Sequence, residues 1–378
     1  MSDVGSIPVF DYPTSWSHGR GLANQTATVL KQLGCRSPLV LTDQLLLSLG
    51  VVDPVLHSLR EAGLEYTICD AVNYEPTVAL FDSIVAQLDL KAFDAIVAVG
   101  GGSVLDVSKG LAVIGSFGGH IRDYAGLDKV PGVPSIKVVT VPTTSGTGSE
   151  ISDGVVLIDE ERQTKFLVIS KKICPTVALT DPLMTLSMPP RVTALSGTDA
   201  LVHATESYIS KGAGPASELF ALRAVELVGR NLAAVYKDGR DLDLREKMQI
   251  GATMAMSAAS NSKAGLCHAL AMPLCALYHM PHGQAVGMAL PVVLAYNAPV
   301  VGPKIDHIFQ AMGFADDGFA RLEALLTEIG VSARLGDMGF EESHMPTIVK
   351  ETMNSAQRPP NPRDPTPEDI ADIVRRMV

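Results

Sequence analysis

The chain has 378 residues, 47% of them apolar, and 30 Lys and Arg against 41 Asp and Glu give a net charge of −11. That length supports a large core divided between two domains and excludes a small module stapled by disulfides. The acidic balance, with no basic cluster for a phosphate backbone, excludes nucleic acid as a partner.

Cysteines at 35, 69, 174, 267 and 275 are odd in number and scattered, as in reduced cytosolic thiols rather than a disulfide or zinc framework. The opening MSDVGSIPVFDYPTSW has no basic segment leading into an apolar core. No uninterrupted apolar run reaches the ~20 residues of a membrane helix. A cytoplasmic protein without a membrane partner is expected.

In chain order, SPLVLTD (37–43), LEYTICD (64–70), DAIVAVG (94–100) and SIKVVTVP (135–142) read as short strands, with helical candidates at 75–90 and 104–114 between them. This alternation predicts an α/β domain with a parallel, Rossmann-like sheet. DPLMTLSMPP marks a boundary near 185–190, and beyond it Ala, Leu and Met recur at helical spacing. The expected division is an α/β domain over 1–187 and an all-α domain over 188–378. At the end, Thr366, Pro367 and Asp369 form a helix-start signal.

Two strand ends carry glycine-rich turns. DAIVAVGGGSVLDVSKG passes from a strand through Gly101, Gly102 and Ser103 into a helix bearing Asp106, and bare backbone at a helix N-terminus receives phosphate. Its spacing is neither GxGxxG nor the Walker pattern, so the motif assigns no particular nucleotide and also fits a plain tight turn. VPTTSGTGSE (141–150) adds the hydroxyls of Thr143, Thr144 and Ser149, and two polar loops at strand ends strengthen a nucleotide reading. Asp43, closing SPLVLTD, is either a ribose-binding carboxylate or a helix cap.

SGTDALVHATESY (196–208) sets Asp199 and His203 four apart, on one helical face. CHALAMPLCALYHMPHG (267–283) adds His268 and His282. One carboxylate and three imidazoles suit Fe²⁺ or Zn²⁺ and leave a position open for a substrate oxygen. His279, among aromatic and apolar neighbours, reads as a packed histidine or one standing behind the ligands.

These segments, in this order and spacing over nearly the whole chain, resemble the iron-containing alcohol dehydrogenase family. The resemblance implies NAD, with NADP disfavoured by Asp43, and Fe²⁺ or Zn²⁺ in a cleft between the domains. It further implies that Asp199, His203, His268 and His282 bind the metal. Gly101, Gly102, Ser103 and Asp106 would line the pyrophosphate, and Thr143, Thr144, Ser149 and Lys165 would contact the cofactor further along. The implied reaction interconverts a small alcohol and its aldehyde or ketone, the metal polarising the substrate oxygen while hydride moves to or from nicotinamide. A homodimer or larger homo-oligomer is implied as well.

Two positions depart from the family pattern. Met272 stands where many members carry a second imidazole near the nicotinamide, so packing or a reshaped substrate pocket is expected there. Lys263 stands where many have glycine, and it is the only Lys, Arg, Asp or Glu from Gly251 through Pro303. It either snorkels to water or meets an acidic tail on the substrate. Lys263, Met272 and His279 are therefore the substrate-side candidates. A dehydroquinate synthase-like or polyol-phosphate-type enzyme is the alternative, but the near absence of charge from 251 to 303 offers little to a phosphorylated substrate.

Overall fold

The computed structural model describes residues 10–72, 76–161, 164–314 and 316–378. The chain divides into two compact units. One comprises Tyr12–Thr144 and Gly148–Met188; the other comprises Pro189–Val378 together with Ser145–Thr147, Phe10 and Asp11.

The first unit is built on strands β1 (Ser15–His18), β2 (Pro38–Leu41), β3 (Thr67–Cys69), β4 (Ala95–Gly100), β6 (Lys137–Pro142) and β9 (Val177–Thr180), with the two-residue β5 (Gly126–Leu127) standing apart. The six pair in the order β1-β9-β6-β4-β2-β3, all parallel. Every residue of β2, β4 and β9 is buried, as a sheet covered on both faces requires. Helices α1 (Thr26–Gln32), α2 (Gln44–Ser48), α3 (Asp53–Glu61), α4 (Val78–Gln87) and α5 (Gly102–Phe117) connect the strands. The expected parallel α/β class holds. A small second sheet, in the order β5-β8-β7, adds an antiparallel hairpin of β7 (Gly154–Asp159) and β8 (Thr164–Ile169).

The second unit is helical: α6 (Pro190–Ile209), α7 (Pro215–Lys237), α8 (Leu242–Ser262), α9 (Leu266–Tyr278), α10 (His282–Val301), α11 (Pro303–Met312), α12 (Gly318–Glu328), α13 (Met345–Asn354) and α14 (Pro367–Met377). Its core runs from Ala194 to Met377 and draws on nearly every helix. The predicted terminal cap is present: Thr366 Oγ1 accepts from Asp369 N–H at 3.1 Å, and Asp369 Oδ2 accepts from Thr366 N–H at 2.9 Å. Helix α10 is long and apolar enough to cross a membrane, yet 61% of its most apolar window is buried inside the chain, as in a core helix.

Glycine sets the approach of α10 to α6. A Cβ at Gly283 would lie 2.1 Å from the Leu195 carbonyl oxygen, and one at Gly287 would lie 2.6 Å from Thr198 Cγ2. Bare backbone at these two positions lets α10 start against the segment of α6 that carries Asp199.

Candidate metal centre and nucleotide-binding turns

Pro190 at its first position starts α6, and every residue of 197–209 is buried. Asp199, His203 and Glu206 stand at i, i+4 and i+7, which brings them to one face. Gly265 precedes α9, so His268 lies in its first turn, and His282 is the first residue of α10, after Pro281.

Around Asp199 Oδ1, His203 Nδ1 lies at 3.5 Å and the Nε2 atoms of His268 and His282 at 3.6 Å each. These gaps are too long for good hydrogen bonds. They match the ~3.4 Å that separates tetrahedral donor atoms bonded at ~2.1 Å to one ion. Asp199 Oδ1, His203 Nδ1 and His268 Nε2 are buried without a hydrogen-bond partner among the described residues, a costly state that a divalent cation would relieve. Asp199, His268 and His282 each offer an atom within 4.8 Å of the others. The fourth candidate, His203, stands beside them, its ring centroid 4.3 Å from that of His268. One oxygen and a set of nitrogens fit Fe²⁺ or Zn²⁺.

Electrostatics agree with that fit. Burial raises the Asp199 carboxyl, but the facing His203, His268 and His282 outweigh it and hold it below the usual carboxylate range. Burial takes His203 down to about 4 against the pull of Asp199, so its ring is neutral. Burial also acts downward on His268, but Asp199 and Glu206 prevail and push it up to about 9. Two carboxylates facing one imidazole make a centre that holds a cation, either a proton or a metal.

Glu206 is a residue that sequence reading missed. It is 2% exposed, and it accepts from His268 Nδ1 at 2.6 Å, Gly265 N–H at 2.9 Å and Cys267 N–H at 2.5 Å. Its helical register with Asp199 was the available signal.

In the first unit, β4 and β6 are neighbours with Gly100 opposite Pro142, so the two glycine-rich turns emerge side by side. Thr143 N–H donates to the Gly100 carbonyl at 3.0 Å, and a Cβ at Gly101 would meet Thr144 Cγ2 at 3.4 Å. Gly101 is the residue before α5, and Gly102 and Ser103 open the helix, all partly exposed. This is the arrangement in which backbone N–H groups receive an anion. Asp43 closes β2 and caps α2, accepting from Leu46 N–H at 2.8 Å.

Asp106 and Ser149 are turned to each other. Asp106 accepts from the Ser149 hydroxyl, from Val156 N–H at 2.9 Å and from Lys109 Nζ at 2.9 Å. Fully buried Lys109 also donates to the hydroxyls of Ser149 and Ser152 at 2.9 Å. These contacts tie Asp106 on α5 to Ser149 and to the start of the β7 hairpin. Lys165, on β8, pairs with Ile158 of β7, and its side chain lies outside the described residues.

Lys263 ends α8, exposed, with φ 69° and ψ 160°, and its Nζ donates to the Ser260 carbonyl at 3.3 Å. Met272 is half-buried on α9 and, among the described residues, stands outside the apolar cluster of this unit. His279 corrects the expectation of a packed ring: it is exposed and left-handed at the end of α9, φ 48°. The turn into Pro281 takes it away from the core.

A family model described as iron-containing alcohol dehydrogenase matches residues 13–182, and one for the C-terminal part of the same family matches 193–378. The chain is 32% identical to an NAD-dependent methanol dehydrogenase of Bacillus methanolicus, covering 98% of this chain and 99% of the relative. A crystal structure of 1,3-propanediol oxidoreductase superposes with TM-score 0.93 at 34% identity, over 98% of this chain and 100% of that one. Sulfoacetaldehyde reductase from Bifidobacterium kashiwanohense, in complex with NAD⁺, superposes with TM-score 0.92 at 26% identity, over 99% of both chains.

Proposed function

The chain belongs to the iron-containing alcohol dehydrogenase family, and from that membership we infer an NAD-linked, iron-dependent alcohol dehydrogenase or aldehyde reductase acting on a small substrate. The observation that carries this reading is the convergence of Asp199, His268 and His282 on one point, with His203 alongside. The lyase and polyol-phosphate alternatives are not favoured, because both halves of the chain match alcohol dehydrogenase models.

Asp199, His203, His268 and His282 hold the metal. Bound there, it supplies Lewis acidity toward an alcohol or carbonyl oxygen. Neutral His203 contributes a lone pair, and the carboxylate of Asp199 supplies the negative charge that offsets the ion. The turns at Gly101–Ser103 and Thr143–Thr144 receive the dinucleotide phosphates. Asp43 takes the ribose hydroxyls, where a carboxylate would repel the 2′-phosphate of NADP. Met272 carries no proton, so it shapes the space beside the site without relaying a proton.

Lys263 serves as the recognition point for an acidic substrate tail. The sulfoacetaldehyde reductase neighbour acts, by its name, on an aldehyde of that kind. Removing the charge in Lys263→Ala should weaken turnover of a carboxylate- or sulfonate-tailed aldehyde by about tenfold, relative to an uncharged aldehyde of equal length; equal losses would remove this role. Among the described residues β1 lies at the edge of its sheet, which supports a homo-oligomer, since an open sheet edge pairs readily. Five free cysteines support a reducing, cytoplasmic setting.

A panel of alcohols and aldehydes assayed with NAD(H) and NADP(H), after reconstitution with Fe²⁺ or Zn²⁺, tests the reading. NAD-linked turnover that depends on added metal is expected. A chain that turns over none of them with either cofactor would contradict it.

A further inference from the structure

Glu206 lies one turn beyond His203 on α6, behind the candidate ligands and outside the set itself. Its carboxylate is 2% exposed, and its Oε2 receives both His268 Nδ1 at 2.6 Å and Gly265 N–H at 2.9 Å, while Oε1 receives Cys267 N–H at 2.5 Å. The two backbone donors belong to the open N-terminal end of α9, where a negative charge is favoured. The packing leaves the carboxylate no room to retreat, since a Cβ at Gly265 would sit 2.9 Å from Oε1.

A carboxylate accepts and cannot donate, so the imidazole proton must sit on Nδ1 of His268. The proton that a metal displaces is then the one on Nε2, the atom that faces Asp199 Oδ1 at 3.6 Å. We propose that Glu206 is a positioning residue that keeps the last imidazole proton of His268 on Nδ1, fixes the ring direction and locks the first turn of α9 onto α6, so that the nitrogen a metal takes over from a proton already points at the site. The proposal rests on the ligand reading above. Such carboxylate–imidazole pairs behind a metal change its affinity by about 10–100-fold.

Glu206→Gln keeps the shape and can still accept from Cys267 N–H through its carbonyl. Placed so, its amide nitrogen meets the two donors His268 Nδ1–H and Gly265 N–H, and turned over it meets Cys267 N–H, so either way part of the hold on the His268 ring and the first turn of α9 is lost. The measurement is Zn²⁺ and Co²⁺ affinity by chelator competition, with the Co²⁺ absorption spectrum, in the wild type, Glu206→Gln, Asp199→Ala and the folding control Thr205→Ala. Circular dichroism checks each fold. The expected result is a folded Glu206→Gln that binds about 10–100-fold more weakly with an altered Co²⁺ spectrum, while Thr205→Ala matches the wild type. Unchanged affinity in Glu206→Gln, with affinity lost in Asp199→Ala, would overturn the role of Glu206 and leave the ligand reading standing. Unchanged affinity in Asp199→Ala would overturn that reading itself. Should Glu206→Gln fail to fold, nitrogen NMR of histidine-labelled, Zn²⁺-loaded wild type decides. His268 protonated on Nδ1 supports the proposal, and His268 protonated on Nε2 refutes it.

Discussion

Asp199 Oδ1 and His282 Nε2 lie 3.6 Å apart, although one belongs to the middle of α6 and the other to the first residue of α10. The separation exists because α10 meets α6 backbone to backbone at Gly283. A glycine chosen for packing thus decides where a candidate ligand sits.

Gly283→Ala tests that dependence. The added methyl faces a main-chain carbonyl, which cannot swing away as a side chain would. A stability loss of about 3 kcal/mol is expected in urea denaturation, together with weaker metal binding. A variant of wild-type stability and metal content would show that α10 does not need this approach.

Metal binding should depend steeply on pH. His268 is raised to about 9, so the folded, metal-free chain holds this proton more tightly than the unfolded chain. That contribution to stability is fully present below the ordinary imidazole value of about 6.5 and is lost as pH rises through about 9. A metal must displace the same proton, so its affinity should climb by about tenfold per pH unit between about 6.5 and about 8.5. Titration calorimetry in buffers of different ionisation enthalpy would count the proton released; a flat affinity profile would contradict the assignment.

Lys263 occupies backbone space that suits glycine, with φ 69° and ψ 160°. Such strain costs about 1–3 kcal/mol in a residue with a side chain, partly offset by the greater freedom glycine has when unfolded. Lys263→Gly should therefore raise stability by about 1 kcal/mol, and Lys263→Ala should not. Thermal unfolding of the two variants provides the comparison.

Asp106 braces fully buried Lys109, whose Nζ it meets at 2.9 Å. Asp106→Ala would strand that ammonium with hydroxyls and carbonyls alone and should cost about 3 kcal/mol. Double replacement, Asp106→Ala with Lys109→Met, should recover part of the loss. No recovery in denaturant unfolding would mean that the pair is not coupled.

Much of this was legible in the sequence because the period of side chains reports burial directly. The runs around β2, β3, β4 and β6 are apolar and bounded by turn residues, and the structure has strands within each. Edge strand β1 escaped because SWSH shows no apolar alternation, its pattern being exposed and half-buried by turns. The hairpin of β7 and β8 escaped because the polar EERQ between its arms reads as a solvated loop.

At the site, Asp199 and His203 were readable because one helix carries both. Glu206 was not, since a carboxylate on a helix ordinarily faces water, and its partners at Gly265, Cys267 and His268 become neighbours only through packing. His279 misled for the opposite reason: apolar neighbours in sequence implied burial, while a left-handed turn exposed it.

The most direct test is to measure bound metal and NADH formation on the same preparations of wild type and Asp199→Ala, as purified, after chelation and after return of Fe²⁺. The account predicts that turnover falls with the metal, returns with it in the wild type in proportion to occupancy, and stays at least about a hundredfold lower in Asp199→Ala. Full turnover from chelated, metal-free wild type would contradict it.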